Sequence, residues 1–429
     1  MGLKVFKFGG ASIKDADGFN NVQQIINAAE FNKLLIVVSA TGKTTNALQQ
    51  VVSDHYDSDK DPFLSLDPVK KNHLEILNTI MPNNDKWETE ILDTFVEIDW
   101  MLEEDPHEDY DFEYDQIVSV GEQVSSKILH ALLQESGLRS SWLDVRDVIL
   151  TDNTYREAKV QWEATEKRIK EKTAQLFKKS DIIVTQGFIG ASSENFTTTL
   201  GREGSDFSAS IFSYCMDAVG MFIWKDVPGV LTGDPRLFEN VTKLDHLSYR
   251  EAVEMTYYGA KVIHPKTIKP IQNKSIPLHV KSFINPKEEG TLISDMETSA
   301  YPPIVVFEHN QTLLRIATRD FSFVAEDHLK QIFELIADHR IRIKMMKNTA
   351  VSFLISVDND DTRITAIIEK LQEDFKVTQE KNLEVLTIRH YNQEIIDSVT
   401  KERIILFEEK LPKTIQMVVK PIPTMKIKE

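Results

Sequence analysis

The chain holds a single cysteine, Cys215, among its 429 residues. That excludes disulfide frameworks and cysteine-based zinc sites, and the apolar setting IFSYCM marks the thiol as a core residue, not a nucleophile. Long apolar runs are equally missing. The longest, such as 34–38 and 218–224, fall far short of the ~18 residues that a spanning helix needs, so no transmembrane segment is expected. Basic charge is in deficit, with 50 Lys and Arg against 67 Asp and Glu and a formal net charge of −17. That balance opposes association with nucleic-acid backbones or anionic membranes. Only 16 Gly and 15 Pro are present, too few for collagen-like or low-complexity chains. The opening MGLKVFKFGG enters a strand pattern directly, with no apolar signal core, so a cytoplasmic address is expected.

What is present is a globular α/β pattern of two or three domain-lengths. Short β-rich runs, KVFKF (4–8), LLIVVSA (34–40), QIVSV (116–120), DIIVTQ (181–186), MFIWKD (221–226) and IPLHV (276–280), alternate with helix-patterned segments. Such alternation predicts a mainly parallel sheet whose ligands bind beyond the carboxyl ends of the strands. Residues 54–115 are acidic and lack strand signals, which predicts a helical insertion. The stretch SDMETSAYPP (294–303) reads as a linker. Beyond it, TLLRIATR, HLKQIFELIADH, RIRIKMM, TAVSFLISVD, DTRITAIIEKLQ and DFKVTQE give the order βαββαβ, a ferredoxin-like unit. The remainder, through TIQMVVK, reads as a second copy that stops early and supplies strands more clearly than helices.

Chemistry-bearing residues gather at the strand ends. In VVSATGKTT (37–45) a P-loop is excluded because Val37 stands where the Walker pattern needs glycine. An ordinary N-cap by Ser39, Thr41 or Thr44 competes there with a ligand contact. KFGGAS (7–12) follows a strand with adjacent glycines that let backbone approach an anion, and Lys7 inside the strand calls for a partner or a phosphate. VGEQVSS (120–126) puts Gly121 and Glu122 between a strand and a helix, where Glu122 either favours the helix dipole or receives an ammonium. TLGREGSDFSAS (199–210) is the densest cluster: Arg202 suits a carboxylate, Asp206 could order a lysine or metal, and Ser205 or Asp206 could equally be a helix N-cap. KDVPGVLTGDPR (225–236) reads as an ordered loop or a nucleotide-base site. In GAKVIHPKT (259–267), His264 reads as structural.

Taken in order, KFGGAS, VGEQVSS, TLGREGSD, WKDVPGVLTGDPR, GAKVIHPKT and NPKEEGT resemble the aspartate kinases of the amino acid kinase family. The resemblance implies a three-layer αβα catalytic domain over 1–295, with the helical insertion about 54–115, and an α+β ferredoxin-like (ACT) regulatory and dimerisation domain over 304–429 whose second unit is abbreviated. It implies transfer of the γ-phosphoryl of MgATP to the β-carboxylate of L-aspartate, the first step toward lysine, threonine and methionine. Lys7 and Asp206 would serve the phosphoryl-transfer centre. Thr44 or Thr45, Glu122, Arg202 and Ser205 would hold the amino acid. Lys7, Gly9, Gly10, Ser39, Lys225, Asp226, Asp234, Arg236 and Lys261 would line the nucleotide site. Mg²⁺ would arrive with ATP, without direct protein ligation, and a homodimer through the ACT-like region is expected, with no nucleic acid or membrane partner.

The chemistry is consistent with this, since a carboxylate of reference pKa ~3.9 needs no general base at neutral pH. Rival readings are a kinase acting on a glutamate-type carboxylate and a silent ACT-bearing sensor. Two departures stand out. Glu203 replaces the central glycine of the usual GRGGSD, where it must either point outward or disfavour an anionic substrate by its charge, and MMKNTAVSF (345–353) stands where lysine- or threonine-inhibited relatives often carry a TTSE-like stretch.

Overall fold

The computed structural model describes residues 2–238, 240–260, 263–296, 300–320 and 322–422. They divide into two compact units, the first Met1–Val230, Lys243–Val253 and Val262–Thr298, the second Leu231–Thr242, Glu254–Lys261 and Ser299–Glu429. The first unit opens with β1 (Leu3–Phe8), α1 (Ala16–Ala28), β2 (Lys33–Val38) and α2 (Thr44–His55). Next come α3 (Pro62–Ile80), α4 (Asp85–Glu103), α5 (Tyr110–Val118) and α6 (Val120–Glu135). Then follow β3 (Ser140–Leu143), α7 (Trp162–Leu176), β4 (Ile182–Gln186), β5 (Ile189–Ala191), β6 (Thr197–Thr199) and α8 (Gly204–Cys215). After β7 (Gly220–Lys225) come β8 (Val230–Leu231), β9 (Lys243–Leu244), β10 (His246–Ser248), α9 (Tyr249–Tyr257), α10 (Pro265–Asn273), β11 (Leu278–Ser282) and β12 (Thr291–Ser294).

Eight of these strands form one sheet in the order β10-β12-β11-β7-β1-β2-β4-β3, parallel except for β11 against β12. Strand periodicity explains the layers. Phe6, Phe8, Leu34, Ile36 and Val38 join a buried cluster with Val22, Ile25 and Ile26 of α1 and Ile128 and Leu129 of α6. The alternate residues Val5, Leu35 and Val37 are also fully buried, and α8 packs on β1, β2 and β7. The chain leaves β1 toward β2 on one side and later returns to β7 on the other, so β1 lies at the switch point where open α/β sheets bind ligands.

Residues 54–115 are helical as expected, with Leu66 and Leu77 of α3, Phe95 of α4 and Ile117 of α5 extending the same core. QIVSV, expected as a strand, is instead the junction of α5 and α6. Its apolar run is buried on one helical face after another, with Ile117, Val118, Val120 and Val124 all enclosed, so burial overrode β-propensity. Cys215 is buried at the end of α8, and desolvation pushes its thiol up to about 12, as befits a core residue. No helix among the described residues is long and apolar enough to cross a membrane.

The second unit carries β13 (Ile304–Thr318), α11 (Glu326–Asp338), β14 (Ile343–Asn348), β15 (Ser352–Asp358), α12 (Asp361–Asp374), β16 (Phe375–Arg389), α13 (Gln393–Thr400), β17 (Arg403–Lys410) and β18 (Thr414–Pro421). They make an antiparallel sheet in the order β14-β15-β13-β16-β18-β17. The βαββαβ order is borne out, but DFKVTQE and LEVLTIRH fuse into the single strand β16. Register shifts near Gln311 divide β13 and β16 into two halves. One half packs Leu314 and Ile316 under α11 and α12, the other packs Val305, Leu386 and Ile388 against Ile396 and Val399 of α13. Leu231–Thr242 and Glu254–Lys261, expected with the catalytic unit, cluster here instead. Val305 N–H donates to the Thr232 carbonyl at 2.8 Å, Phe238 meets Phe307, and Arg389 pairs with Glu254 at 2.9 Å.

Candidate active site

The end of β1 carries the lysine that the sequence singled out. Lys7 is buried in the central strand, and its Nζ lies 2.6 Å from Asp206 Oδ1. Asp206 comes from the first turn of α8, and Lys225 at the end of β7 reaches its other oxygen at 3.9 Å. Burial pushes the Asp206 carboxyl up, but the charges of Lys7 and Lys225 outweigh it and hold the group below the usual carboxylate range. Two lysines around one ionised, enclosed carboxylate leave local positive charge at a sheet switch point, the kind of place that stabilises a transferring phosphoryl group.

The glycine loop beside Lys7 is built by close backbone approach. A Cβ on Gly10 would lie 2.5 Å from the Ala40 carbonyl, and Gly42 N–H donates to the Gly10 carbonyl at 3.0 Å. Ser39 extends this seam, because its N–H donates to the Phe8 carbonyl at 3.1 Å and its carbonyl accepts from Ser125 Oγ at 2.7 Å. The α2 cap is Lys43, without a side-chain bond, so the expected cap by Ser39, Thr41 or Thr44 does not form. Tertiary partners take two of these residues. Thr44 is buried against Nε2 of His73, a buried histidine of α3, at 3.4 Å, while Thr45 stays partly exposed.

Glu122 lies in the first turn of α6, after a helix and not after the expected strand. It is almost wholly buried; Oε1 accepts the Ala40 N–H at 3.3 Å and Oε2 is enclosed with no partner. Desolvation lifts this carboxyl to about 8, against the opposing pull of the Ala40 N–H and the Lys7 charge. An enclosed carboxyl oxygen without a donor is a place that can receive a cationic group.

Across the site, α8 begins after a tight loop. Glu203 is its N-cap in the left-handed region, φ 55°, with no side-chain cap bond. Ser205 and Asp206 are therefore first-turn residues and not caps. Glu203 does not point outward either: Oε2 accepts the His264 N–H at 2.9 Å, a backbone donor that draws it inward. His264 is the N-cap of α10, its Nδ1 accepting from Lys266 N–H, as a structural histidine should. Arg202 is exposed and forms no ion pair among the described residues. Ser205 is buried against Gly187, where a Cβ would come 2.5 Å from the serine Cβ.

Of the remaining expected residues, Gly9 flanks Lys7, since a Cβ there would stand 3.4 Å from Nζ. Asp226 is exposed just after β7. Asp234 and Arg236, in the second unit, pair with each other at 2.6 Å. Lys261 lies outside the described residues. Sequence reasoning missed Gly187, whose QGF setting offers no glycine pair, and Asp115, hidden at the end of the acidic insertion.

The sequence profile described as the amino acid kinase family matches residues 2–282. Lysine-sensitive aspartokinase 3 of Escherichia coli is 30% identical over 369 residues, 85% of this chain and 80% of that protein. A bifunctional aspartokinase/homoserine dehydrogenase of Zea mays is 32% identical over 295 residues, and the chain spans only 32% of its length. Among solved structures, E. coli aspartokinase III with aspartate and ADP in its R-state superposes with a TM-score of 0.82 at 27% identity, covering 97% of this chain and 96% of that one. The T-state with lysine and aspartate gives 0.81 at 26%, covering 98% and 96%. The C-terminal antiparallel unit is therefore ACT-like, and the chain belongs to the amino acid kinase family, among its aspartokinases.

Proposed function

We propose that this protein transfers the γ-phosphoryl group of MgATP to the β-carboxylate of L-aspartate, giving 4-phospho-L-aspartate and ADP at the head of lysine, threonine and methionine biosynthesis. The observation that carries the reading is the enclosed Lys7–Asp206 pair at the end of β1, with the partnerless Glu122 oxygen in electrostatic reach of Lys7. A β-carboxylate oxygen attacks the γ-phosphorus, the bond from that phosphorus to the β,γ-bridging oxygen breaks, and ADP departs with the electron pair. No proton moves in this step, so the site needs positive charge and alignment and no base.

Lys7 and Lys225 supply the charge, and Asp206 fixes both ammonium groups. Gly9, Gly10 and Ser39 bring backbone close to the phosphates. Glu122 receives the substrate ammonium, Arg202 the α-carboxylate, and Thr45 with Ser205 completes the substrate side. Thr44 has its hydroxyl against His73, which supports Thr45 as the contributing threonine. Asp226, Asp234, Arg236 and Lys261 belong to the nucleotide side of this reading. The charge of Asp206 is already offset by two lysines, which fits a Mg²⁺ ion that arrives with ATP and would be held by phosphate oxygens without direct protein ligation. That ion adds charge neutralisation on the phosphates. The open edges β14 and β17 support a homodimer through the ACT-like unit.

Glu122 argues against an N-acylated substrate, which lacks the ammonium. ADP release coupled to hydroxylamine trapping of the acyl phosphate, run with L-aspartate, L-glutamate and N-acetyl-L-glutamate, tests the reading. Product from another carboxylate and none from L-aspartate sinks it.

A further inference from the structure

The two charges that would read an α-amino acid sit on separate elements, Glu122 on α6 and Arg202 on the loop between β6 and α8. One buried carboxylate joins those elements. Asp115, on α5, is fully buried. Its Oδ2 accepts the Thr199 N–H at 2.7 Å and the Arg156 N–H at 2.9 Å, and its Oδ1 accepts the Thr199 hydroxyl at 2.7 Å. The neighbouring Gln116 holds Thr197 from the same helix: its Oε1 accepts the Thr197 N–H at 3.0 Å and its Nε2 donates to the Thr197 carbonyl at 2.8 Å. Helix α5 thus takes the place of a strand along β6.

Both clamped ends lead directly to substrate-reading residues. From Asp115 the helix passes Ser119 and reaches Glu122 in seven residues, about two turns. Ser119 and Gln123 N–H groups bond back to the Asp115 and Ser119 carbonyls at 3.4 Å, so the two helices meet without a flexible linker. From Thr199 the chain reaches Arg202 in three residues. That short loop is held further by Lys266 Nζ on the Leu200 carbonyl at 2.9 Å and by Glu203 on His264. Arg202 itself makes no ion pair among the described residues, so its position is set by its backbone alone.

We infer that Asp115 is a positioning residue for substrate recognition: by bonding Thr199 from the helix that leads to Glu122, it fixes the spacing between the ammonium-reading and carboxylate-reading groups. The inference rests on the aspartate reading above. Burial lifts this carboxyl to about 6 despite three donors, a cost that a purely space-filling residue at the same place would not carry. The geometry requires an acceptor of three hydrogen bonds and does not require charge. Asparagine can meet it, with Oδ1 taking both N–H groups and Nδ2 donating to the Thr199 hydroxyl.

Steady-state kinetics of the full chain tests this. Asp115→Ala is expected to raise the KM for L-aspartate about tenfold or more, with kcat and the KM for ATP changed less than about threefold, because misplacement of a binding group acts on the ligand it binds. Asp115→Asn is expected to restore the aspartate KM to within about threefold of the parent. If Asp115→Ala does not fold, Thr199→Val removes one of the three bonds and is expected to raise the aspartate KM about threefold. An unchanged aspartate KM in Asp115→Ala or, failing that, in Thr199→Val overturns the inference, as does Asp115→Asn impaired as badly as Asp115→Ala. Arg202→Ala and Glu122→Gln serve as controls. If they too leave the aspartate KM unchanged, the substrate reading has failed, whereas a rise in the controls alone convicts only the role of Asp115.

Discussion

Glu203 Oε2 accepts the His264 backbone N–H at 2.9 Å, so the residue that replaces a glycine in the usual motif ties the start of α8 to the start of α10. Two effects oppose each other. The left-handed φ of 55° costs a non-glycine residue about 1–2 kcal/mol, while a charged hydrogen bond near a helix N-terminus contributes about 1.5–3 kcal/mol. Glu203→Ala keeps the strain and loses the bond, whereas Glu203→Gly loses both. Thermal melts are therefore expected to rank the parent first, Glu203→Gly second and Glu203→Ala last. Glu203→Gly melting below Glu203→Ala would show that the backbone strain is not real.

Lys7→Met tests the phosphoryl-transfer centre. It removes the charge nearest the transferring group and is expected to lower kcat by about 10³-fold, with little change in the KM for L-aspartate. The change also strands Asp206, leaving Lys225 at 3.9 Å as its remaining cation, so stability is expected to fall by about 3–5 kcal/mol. Adding Asp206→Leu is expected to recover most of that stability and none of the activity. Recovery of activity in the double variant would place the chemistry elsewhere.

The parallel sheet was legible because its strands read as unbroken apolar runs between turn signals, and Lys7 stood out as a charge inside one of them. The α5–α6 junction was not, because QIVSV has the composition of a strand and only its packing on α2, α4 and the sheet makes it helical. Glu122 was legible as a carboxylate near a site, but its solitary buried oxygen depends on Ala40, 82 residues away in sequence. The same holds for Asp115 with Thr199, and for Thr44, whose hydroxyl faces His73 from a different helix. Pairings across the insertion leave no periodic trace in the chain.

Regulation is expected to be weak. MMKNTAVSF forms the end of β14, a turn and the start of β15, with Met346, Lys347 and Asn348 exposed, and the second half of the ACT-like sheet packs on the short helix α13. A 100-fold preference of an effector for one conformation amounts to only ~2.7 kcal/mol, which two or three lost polar contacts remove. Lysine and threonine at millimolar concentration are expected to inhibit L-aspartate phosphorylation by less than about half, since their differential affinity is small. Micromolar inhibition with saturable heats in calorimetry would overturn this.

Glu122 sets a pH dependence with a definite sign. Its folded-state value of about 8 lies above the ordinary 4.5, because burial disfavours the charged form. The folded protein therefore holds this proton more tightly than the unfolded chain. The stability it contributes is full below about pH 4.5 and is lost as pH rises through about 8. Glu122→Gln keeps the shape without the titration, so its melting temperature is expected to overtake that of the parent by a margin that widens from acid to pH 8 and then levels. Substrate reverses the parent's state: an ammonium beside Oε2 favours the carboxylate, so L-aspartate binding at neutral pH should expel a proton from Glu122. Calorimetry in buffers of different ionisation enthalpy is expected to register release of nearly one proton at pH 7 and far less above pH 9. Equal release from Glu122→Gln, or none from the parent, would show that Glu122 does not meet the substrate ammonium.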